Sequence, residues 1–595
     1  MRELEYPFDA DLILKKKKSI KKALLEEGKS FIDKKIAILG GETTQNIKLI
    51  LELFLLNYGI RPQFYESEYN RWYEDGMFGN EELSAFAPDL IYICTGIRNI
   101  SEFPQMSDGR DEVNAKLTSV YGRFEGLWEK LTEAFKCPII QNNFEYPYFR
   151  LMGNKDASDI HGRVNFVTML NCKFYEYAQT NDNFYICDVN YISASYGLEK
   201  WSDPYYYHMY KYALAVPAIP YLSFNVANII KSLYGKNKKV LNLDMDNTLW
   251  GGIIGDDGAD NIEIGQETAI AQTYSEFQNY LKMHKQLGVL LTVNSKNDES
   301  NALSGLDRPD SVLKKDDFVC IKANWDPKSI NLVNTADELS LLPESFVFVD
   351  DNPAEREIIE QQVPGVVTAK LERPEQYVSA IDKCGFFEVT ALSGDDINRT
   401  DMYISNAKRT KLQASFDNYE DYLKSLEMKA KIAPFASAYM ARIAQLTNKS
   451  NQFNLTTHRY SQAEIETIAK NDEYITLYGK LEDRFGDNGV VSVIIGHEGE
   501  NKEELHIDLW LMSCRVLKRN MEHAMMDKLV EYAAKRGITR LKGYYYPTAK
   551  NSMVKDFYNM MGFTKESENE QGDSVWNFEI DGNYTCKQNV INIDD

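Results

Sequence analysis

Asp244 and Asp246 stand two residues apart at the end of a short apolar run, Val240-Leu-Asn-Leu, with Thr248 just beyond. Carboxylates so spaced can hold a hard cation such as Mg²⁺ against phosphate oxygens, and one of them can attack phosphorus. Alone, the pattern also reads as a strand end followed by an Asp/Asn turn. Residues downstream extend it. The run Val289-Leu-Leu-Thr-Val-Asn ends in Ser295, whose hydroxyl suits a phosphate oxygen. Lys328, in Trp325-Asp-Pro-Lys, offers a point charge for phosphate. The run Phe346-Val-Phe-Val ends in Asp350 and Asp351, two more oxygen ligands. The carboxylates thus sit at the carboxyl ends of expected strands, where ligands bind in open α/β sheets.

A second reactive group lies far downstream. Cys514 follows the apolar run Ile507-Asp-Leu-Trp-Leu-Met and precedes Arg515 and a helical pattern with Met521, Met525, Leu529 and Tyr532 on one face. A strand-to-helix turn and an adjacent guanidinium both favour a thiolate nucleophile; a small buried core residue is the other reading. His506 shares the strand face but lies eight residues away, about 25 Å along a straight strand, too far to act as its base. His458 and His523 are the other candidates for that role.

The elements that must position these groups divide the chain into three. Residues 1–235 alternate strands (near 35–40, 90–94, 138–143 and 184–188) with helical segments, which predicts a parallel α/β sheet. Residues 236–388 carry the carboxylate strands. Between Asp246 and Ser295 there is room only for a Gly-rich flap and one helix near 268–287, hence a minimal cap. Residues 389–400 read as a polar linker, and 396–578 as an α+β domain. In it, Asn448–Thr457 and Asp483–Gly489 read as loops lining a site. Trp201, Tyr205, Tyr206, Tyr207 and Tyr210 form an aromatic cluster expected to pack inside, with a partner surface as the second reading.

Composition narrows the partners. The 595 residues carry a net charge of -22, which argues against nucleic acid or an anionic membrane. No run of 18 apolar residues occurs, and the eight cysteines lack any Cys-x-x-Cys pair, so a cytoplasmic protein with reduced thiols is expected.

The ordered set of strand-end motifs resembles the haloacid dehalogenase (HAD) phosphohydrolases. Asp-Asn-Thr-Leu-Trp-Gly-Gly (246–252), Ile-Gly-Asp-Asp-Gly (254–258), Ser-Lys-Asn (295–297) and Asp-Asp-Asn-Pro-Ala-Glu-Arg-Glu (350–357) resemble its FkbH-like branch. That resemblance implies an HAD doubly wound sheet. Asp244 would be nucleophile and Asp246 general acid/base. Thr248, Ser295 and Lys328 would bind phosphate, and Asp244, Asp246, Asp350 and Asp351 would hold Mg²⁺. It further implies that the protein takes a three-carbon acyl group from 1,3-bisphosphoglycerate, removes phosphate, and loads glyceryl onto the phosphopantetheine thiol of an acyl carrier protein. The alternative is a plain phosphatase of a phosphorylated sugar or hydroxy acid in surface-polysaccharide synthesis.

The flanking domains carry resemblances of their own. Residues 506–563 resemble a GNAT-type acyltransferase, with Cys514 as acyl acceptor. FkbH-like proteins carry Ser-Cys-Arg-Val-Leu-Gly-Arg-Gly at this turn, whereas here Lys518 and Asn520 replace the glycines. Arg515, Lys518 and Arg519, with Lys449 and Arg459 as additions, are expected to dock the acidic carrier and its pantetheine. The N-terminal domain resembles the SGNH hydrolases, which pair a Ser nucleophile with an Asp–His dyad. Asp203 and His208 fit the dyad, but Glu42 stands where the Ser would be, which predicts a degenerate domain.

Overall fold

The computed structural model describes residues 1–594 apart from 28–30, 414, 451, 549 and 582–583. Asn451, within one of the expected site loops, lies outside the described residues. The chain forms two compact units, Met1–Tyr234 and Gly235–Asp595. Among the described residues no helix is long and apolar enough to cross a membrane.

The first unit is built on five parallel strands: β1 (Ile32–Gly40), β2 (Ile60–Glu66), β3 (Leu90–Cys94), β4 (Ile139–Asn142) and β5 (Phe184–Cys187), in the order 2-1-3-4-5. Side chains alternate across a strand. Ile36, Ile38 and Tyr92 therefore enter one apolar cluster, and Ala37, Leu39 and Ile91 another on the opposite face. Both faces are covered, as a parallel sheet requires. The expected aromatic cluster divides: Trp201 is buried, whereas Tyr205 is 65% exposed and Tyr210 51%. The helix Pro204–Tyr210 has no buried residue.

The second unit contains two sheets. In the first, β6 (Val240–Leu243), β7 (Leu290–Ser295), β8 (Phe318–Ala323), β9 (Phe346–Val349) and β10 (Val367–Thr368) run parallel in the order 10-9-6-7-8. Leu241, Leu243, Leu291 and Val293 pack on one face; Val240, Leu290, Phe346 and Phe348 pack on the other. The helix Ala269–Gln286, capped by Thr268, fills the space predicted for it.

The second sheet has eight strands: β11 (Lys429–Ala433), β12 (Tyr474–Asp483), β13 (Gly486–Glu498), β14 (Glu504–Met512), β15 (Arg540–Tyr545), β16 (Thr564–Glu568), β17 (Ser574–Glu579) and β18 (Asn592–Asp594). β18 pairs with β11, so this domain runs past the expected end at 578. β14 and β15 are parallel and pair only from Glu504 to Ile507 on β14 and from Arg540 to Gly543 on β15; beyond that they separate. Phe453–Leu455 enters the opening. Leu455 N–H donates to the Trp510 carbonyl, Met512 N–H to Phe453, and Tyr546 N–H to Leu455. The segment pairs the backbone groups that the diverging strands leave over. Asn454, Leu455 and Thr456 are accordingly buried, whereas Lys449, Ser450, Gln452 and Phe453 of the same expected site loop line a cavity.

Two other expectations change here. Residues 389–400 are no loose linker. Asp396 is buried, pairs with Arg399 and Lys449, and accepts from Gln445. These charges hold its carboxyl far below the usual carboxylate range against the effect of burial. Asp483, on the other expected site loop, is fully buried between Arg409, at 2.7 Å, and Arg519, at 3.2 Å. Polar composition marked both segments as exposed, but satisfied buried ion pairs share that composition. Removing one partner of such a pair strands the other charges in a dry interior. Asp483→Ala should therefore lower unfolding free energy by about 3–5 kcal/mol, read by urea denaturation.

Candidate active site

The turn after β6 is shaped by its own residues. Asn247 adopts a left-handed conformation, φ 55°, which Asn tolerates. Its side chain accepts from Gly252 N–H, and its carbonyl accepts from the hydroxyls of Tyr274 and Tyr377. Gly252, φ 96°, closes the flap; a Cβ there would lie 2.7 Å from the Asp257 carboxylate.

The strand ends of β6 and β9 bring three carboxylates together: ligand oxygens of Asp244, Asp350 and Asp351 all lie within 4.8 Å of one another. Lys328, at the start of the helix Lys328–Glu338, sits among them, 3.0 Å from Asp244 and 2.6 Å from Asp350. Ser295 hydrogen-bonds Asp244. Burial raises the Asp244 and Asp350 carboxyls, with mutual repulsion adding for Asp350 and Lys328 opposing in both. Lys328 is held above the usual ammonium value because the two carboxylates outweigh its own burial. One ammonium does not balance three clustered carboxylates. The set therefore fits an oxygen-liganded divalent cation.

Asp246 stands apart from that group. Its carboxylate accepts from Trp250 Nε1 (2.9 Å), Ile254 N–H (3.0 Å) and Asn297 Nδ2 (3.0 Å). The structure thus does not bring the Asp246 carboxylate into the cation set where the motif had put it; its bonds aim it from the flap. Thr248 also differs from expectation. It is fully buried, and its hydroxyl accepts from Asp351 N–H, so it ties two loops together and does not face a ligand. Asn297 and Arg356 are positioning residues that no role was read for. Arg356 Nη1 donates to the Asp350 and Asp351 carbonyls, the latter at 2.8 Å.

Cys514 lies elsewhere. It ends β14 in a single 3-10 turn, Cys514–Val516, and the following helix starts only at Met521. The expected helix N-terminus at the thiol is therefore absent: Lys518 (φ 64°) and Asn520 (φ 62°) keep the chain in left-handed turns before the helix can begin. These are the two positions at which the resemblance expected glycine. Cys514 borders a cavity of about 110 Å³ lined also by Lys239, Arg399, Tyr403, Arg442, Lys449 and Arg515. Tyr403 hydrogen-bonds the thiol. His506 instead stacks on His497 and Tyr544.

The expected carrier-docking patch does not form. Arg519 is 7% exposed and committed to Asp483 and Asn406. Arg515 turns inward to Ser513, Lys449 to Asp396 and Arg459 to the Asn448 carbonyl. Lys518 alone of these is exposed. Spacing along the chain could not tell outward from inward.

In the first unit, Glu42 is buried at the end of β1, and burial with the nearby Glu145 pushes its carboxyl up to about 8. Asp203 does not pair with His208; it caps its own helix by accepting from Tyr205 and Tyr206 N–H. The expected dyad is therefore not assembled.

The FkbH N-terminal domain family matches residues 35–231. The crystal structure of the N-terminal part of the protein BF1531 from Bacteroides fragilis, containing a phosphatase domain complexed with Mg, is 29% identical. It aligns over 63% of this chain and 99% of its own, with a TM-score of 0.58. The first unit thus carries an FkbH N-terminal domain. No curated protein sequence matches it significantly. The GNAT domain of a Streptomyces lividans acetyltransferase (16% identity, 25% of this chain and 89% of that one, TM-score 0.21) and the ribosomal-protein-S18-alanine N-acetyltransferase of Escherichia coli (12%, 26% and 99%, 0.20) are also similar.

Protons compete with a cation for the raised carboxyls. Titration with Mg²⁺ should release protons near pH 6, and affinity should strengthen between about pH 5 and 8 as Asp350, raised to about 6, ionises. Calorimetry in two buffers of different ionisation enthalpy measures both effects, and Asp350→Asn should weaken them.

Proposed function

We propose that this protein is an HAD-type phosphatase coupled to an acyl-transfer site, which converts an acyl phosphate such as 1,3-bisphosphoglycerate into a glyceryl thioester on an acyl carrier protein. The observation that carries the phosphatase half is the Asp244–Asp350–Asp351 set around Lys328 at the strand ends, with Asp246 held separately. The FkbH-like resemblance and the Mg-bound phosphatase neighbour support it.

Asp244, Asp350 and Asp351 would hold Mg²⁺, which supplies positive charge to phosphoryl oxygens when bound. Asp244 attacks phosphorus as the bond to the glyceryl oxygen breaks, and Asp246 gives that oxygen its proton. Asp246 then takes a proton from the water that hydrolyses the aspartyl phosphate, restoring Asp244. Lys328 offsets charge spreading over the equatorial oxygens.

For the acyl half, the Cys514 thiolate attacks the acyl-phosphate carbonyl, the C–O bond breaks, and phosphate leaves with the electron pair. Lys239 immediately precedes β6 and Asp244 immediately follows it. The Cys514 cavity, which Lys239 lines, is therefore at the opposite end of that sheet from Asp244, roughly 17 Å away along the strand. This separation supports dephosphorylation after the acyl group has moved to the carrier's long pantetheine arm. A thioester still fixed on Cys514 could not reach Asp244.

Two variants separate the halves. Asp244→Asn should cut Mg²⁺-dependent phosphomonoester hydrolysis by more than about a thousandfold, since it removes nucleophile and ligand together. Incubated with 1,3-bisphosphoglycerate and phosphopantetheinylated carrier, it should accumulate phosphoglyceryl-carrier by intact-protein mass spectrometry. Cys514→Ala should load no acyl group on the carrier while hydrolysing small phosphomonoesters normally. Normal loading by Cys514→Ala would leave only the phosphatase reading.

A further inference from the structure

The cavity beside Cys514 is walled by both sheets of the Gly235–Asp595 unit. Lys239 and Glu344 enter from the phosphatase-like part; Arg399, Arg442, Lys449 and Arg515 enter from the part that bears the thiol. Five basic side chains thus line the cavity with one carboxylate, and Glu344 is already paired with Lys550 at 2.5 Å. Asp396, behind the wall, is matched by Arg399 and Lys449. Lys239 has no acceptor for its ammonium among the described residues. Burial also pushes its amine below the usual value, with Arg399 and Lys550 adding to the fall and Cys514 and Glu344 opposing it. An ammonium partly withdrawn from water with no acceptor is costly, and its cost falls when an anion joins it. Several fixed guanidinium and ammonium groups around a small space suit a tetrahedral phosphate.

We propose that this cavity is the phosphate subsite of the acyl-phosphate donor, with Lys239 reaching across from the phosphatase-like sheet to complete it. The inference rests on the reading of Cys514 as acyl acceptor. The donor's phosphate is held by the basic wall, its carbonyl carbon meets the sulfur, and the C–O bond to that phosphate breaks as the thioester forms. The released phosphate leaves from the subsite that held it. Acyl transfer then requires both sheets in one unit, and the phosphatase-like part serves it from the end opposite its own carboxylates.

The test uses the full chain and follows alkylation of Cys514 by iodoacetamide at constant ionic strength. Millimolar inorganic phosphate should slow it at least about fivefold, as for a ligand several times above its Kd. Lys239→Met should lose this protection and Lys239→Arg should keep it. Arg442→Met, on the opposite wall, replaces Lys239→Met if that variant is unfolded by its melting curve. Equal alkylation with and without phosphate in the wild type, or equal protection in the Met variant, overturns the subsite. Stronger protection by coenzyme A than by phosphate, lost in the same variant, assigns the cavity to a pantetheine phosphate and overturns the donor assignment. Acetyl phosphate as acyl donor separates this inference from the reading beneath it. If phosphate protects but no acetyl thioester forms on Cys514, the subsite stands and the acyl-acceptor role falls.

Discussion

Three carboxylates set against a single buried lysine is the constraint around which the phosphatase-like part is arranged. Asp244, Asp350 and Asp351 repel one another, and burial raises each above the usual carboxylate value. Such a group stays together only where the backbone beneath it is stiff. Short, fully buried strands supply that stiffness. β6 and β9 are adjacent and parallel, with Leu243 opposite Val349, so the residues that follow them cannot move apart without breaking the ladder. The outer contacts serve the same end. Arg356 clamps the carbonyls of Asp350 and Asp351, and Thr248 ties the first loop to the second.

The same sheet carries opposite charge at its two ends. Its carboxyl end carries acidic groups that need a cation, while its amino end, through Lys239, borders a basic cavity that needs an anion. Carboxylates without a cation repel a phosphorylated ligand, whereas a basic cavity attracts one. The ordered segment around Asp396 makes this geometry durable. A buried ion-pair hub there joins the helix Arg399–Gln413 to the helix Met440–Lys449, and Arg399 Nη1 also donates to the Gly288 carbonyl of the phosphatase-like part.

The C-terminal sheet meets its own requirement by self-pairing. β14 and β15 diverge, which would leave strand edges open to an extended ligand. Phe453–Leu455 fills that opening, and Cys514, half-buried past the end of β14, borders the cavity. In the first unit, the buried Glu42, raised to about 8 beside Glu145, sits at the end of β1, the position where a parallel sheet commonly presents reactive groups.

The sequence by itself located the strands that carry the candidate groups and picked out Asp244, Ser295, Lys328, Asp350 and Asp351 at or beyond their ends. Those readings depend on local rules: apolar runs make buried strands, and strand ends hold ligands. The sequence also located Cys514 as the residue of interest downstream. What it could not reach depends on which way side chains turn and on what lies far off in the chain. Arg519, Lys449 and Arg459 are as basic as an exposed patch would be, yet partners such as Asp483, Asp396 and the Asn448 carbonyl take them inward. Asp246 shares a motif with the cation ligands but is claimed by Trp250, Ile254 and Asn297. Lys239 looked like part of a basic linker, and only the packing of two sheets 275 residues apart in sequence places it across a cavity from Cys514. Charge and periodicity are properties of a segment, whereas burial and pairing are properties of the folded whole, and the tertiary structure alone decides them.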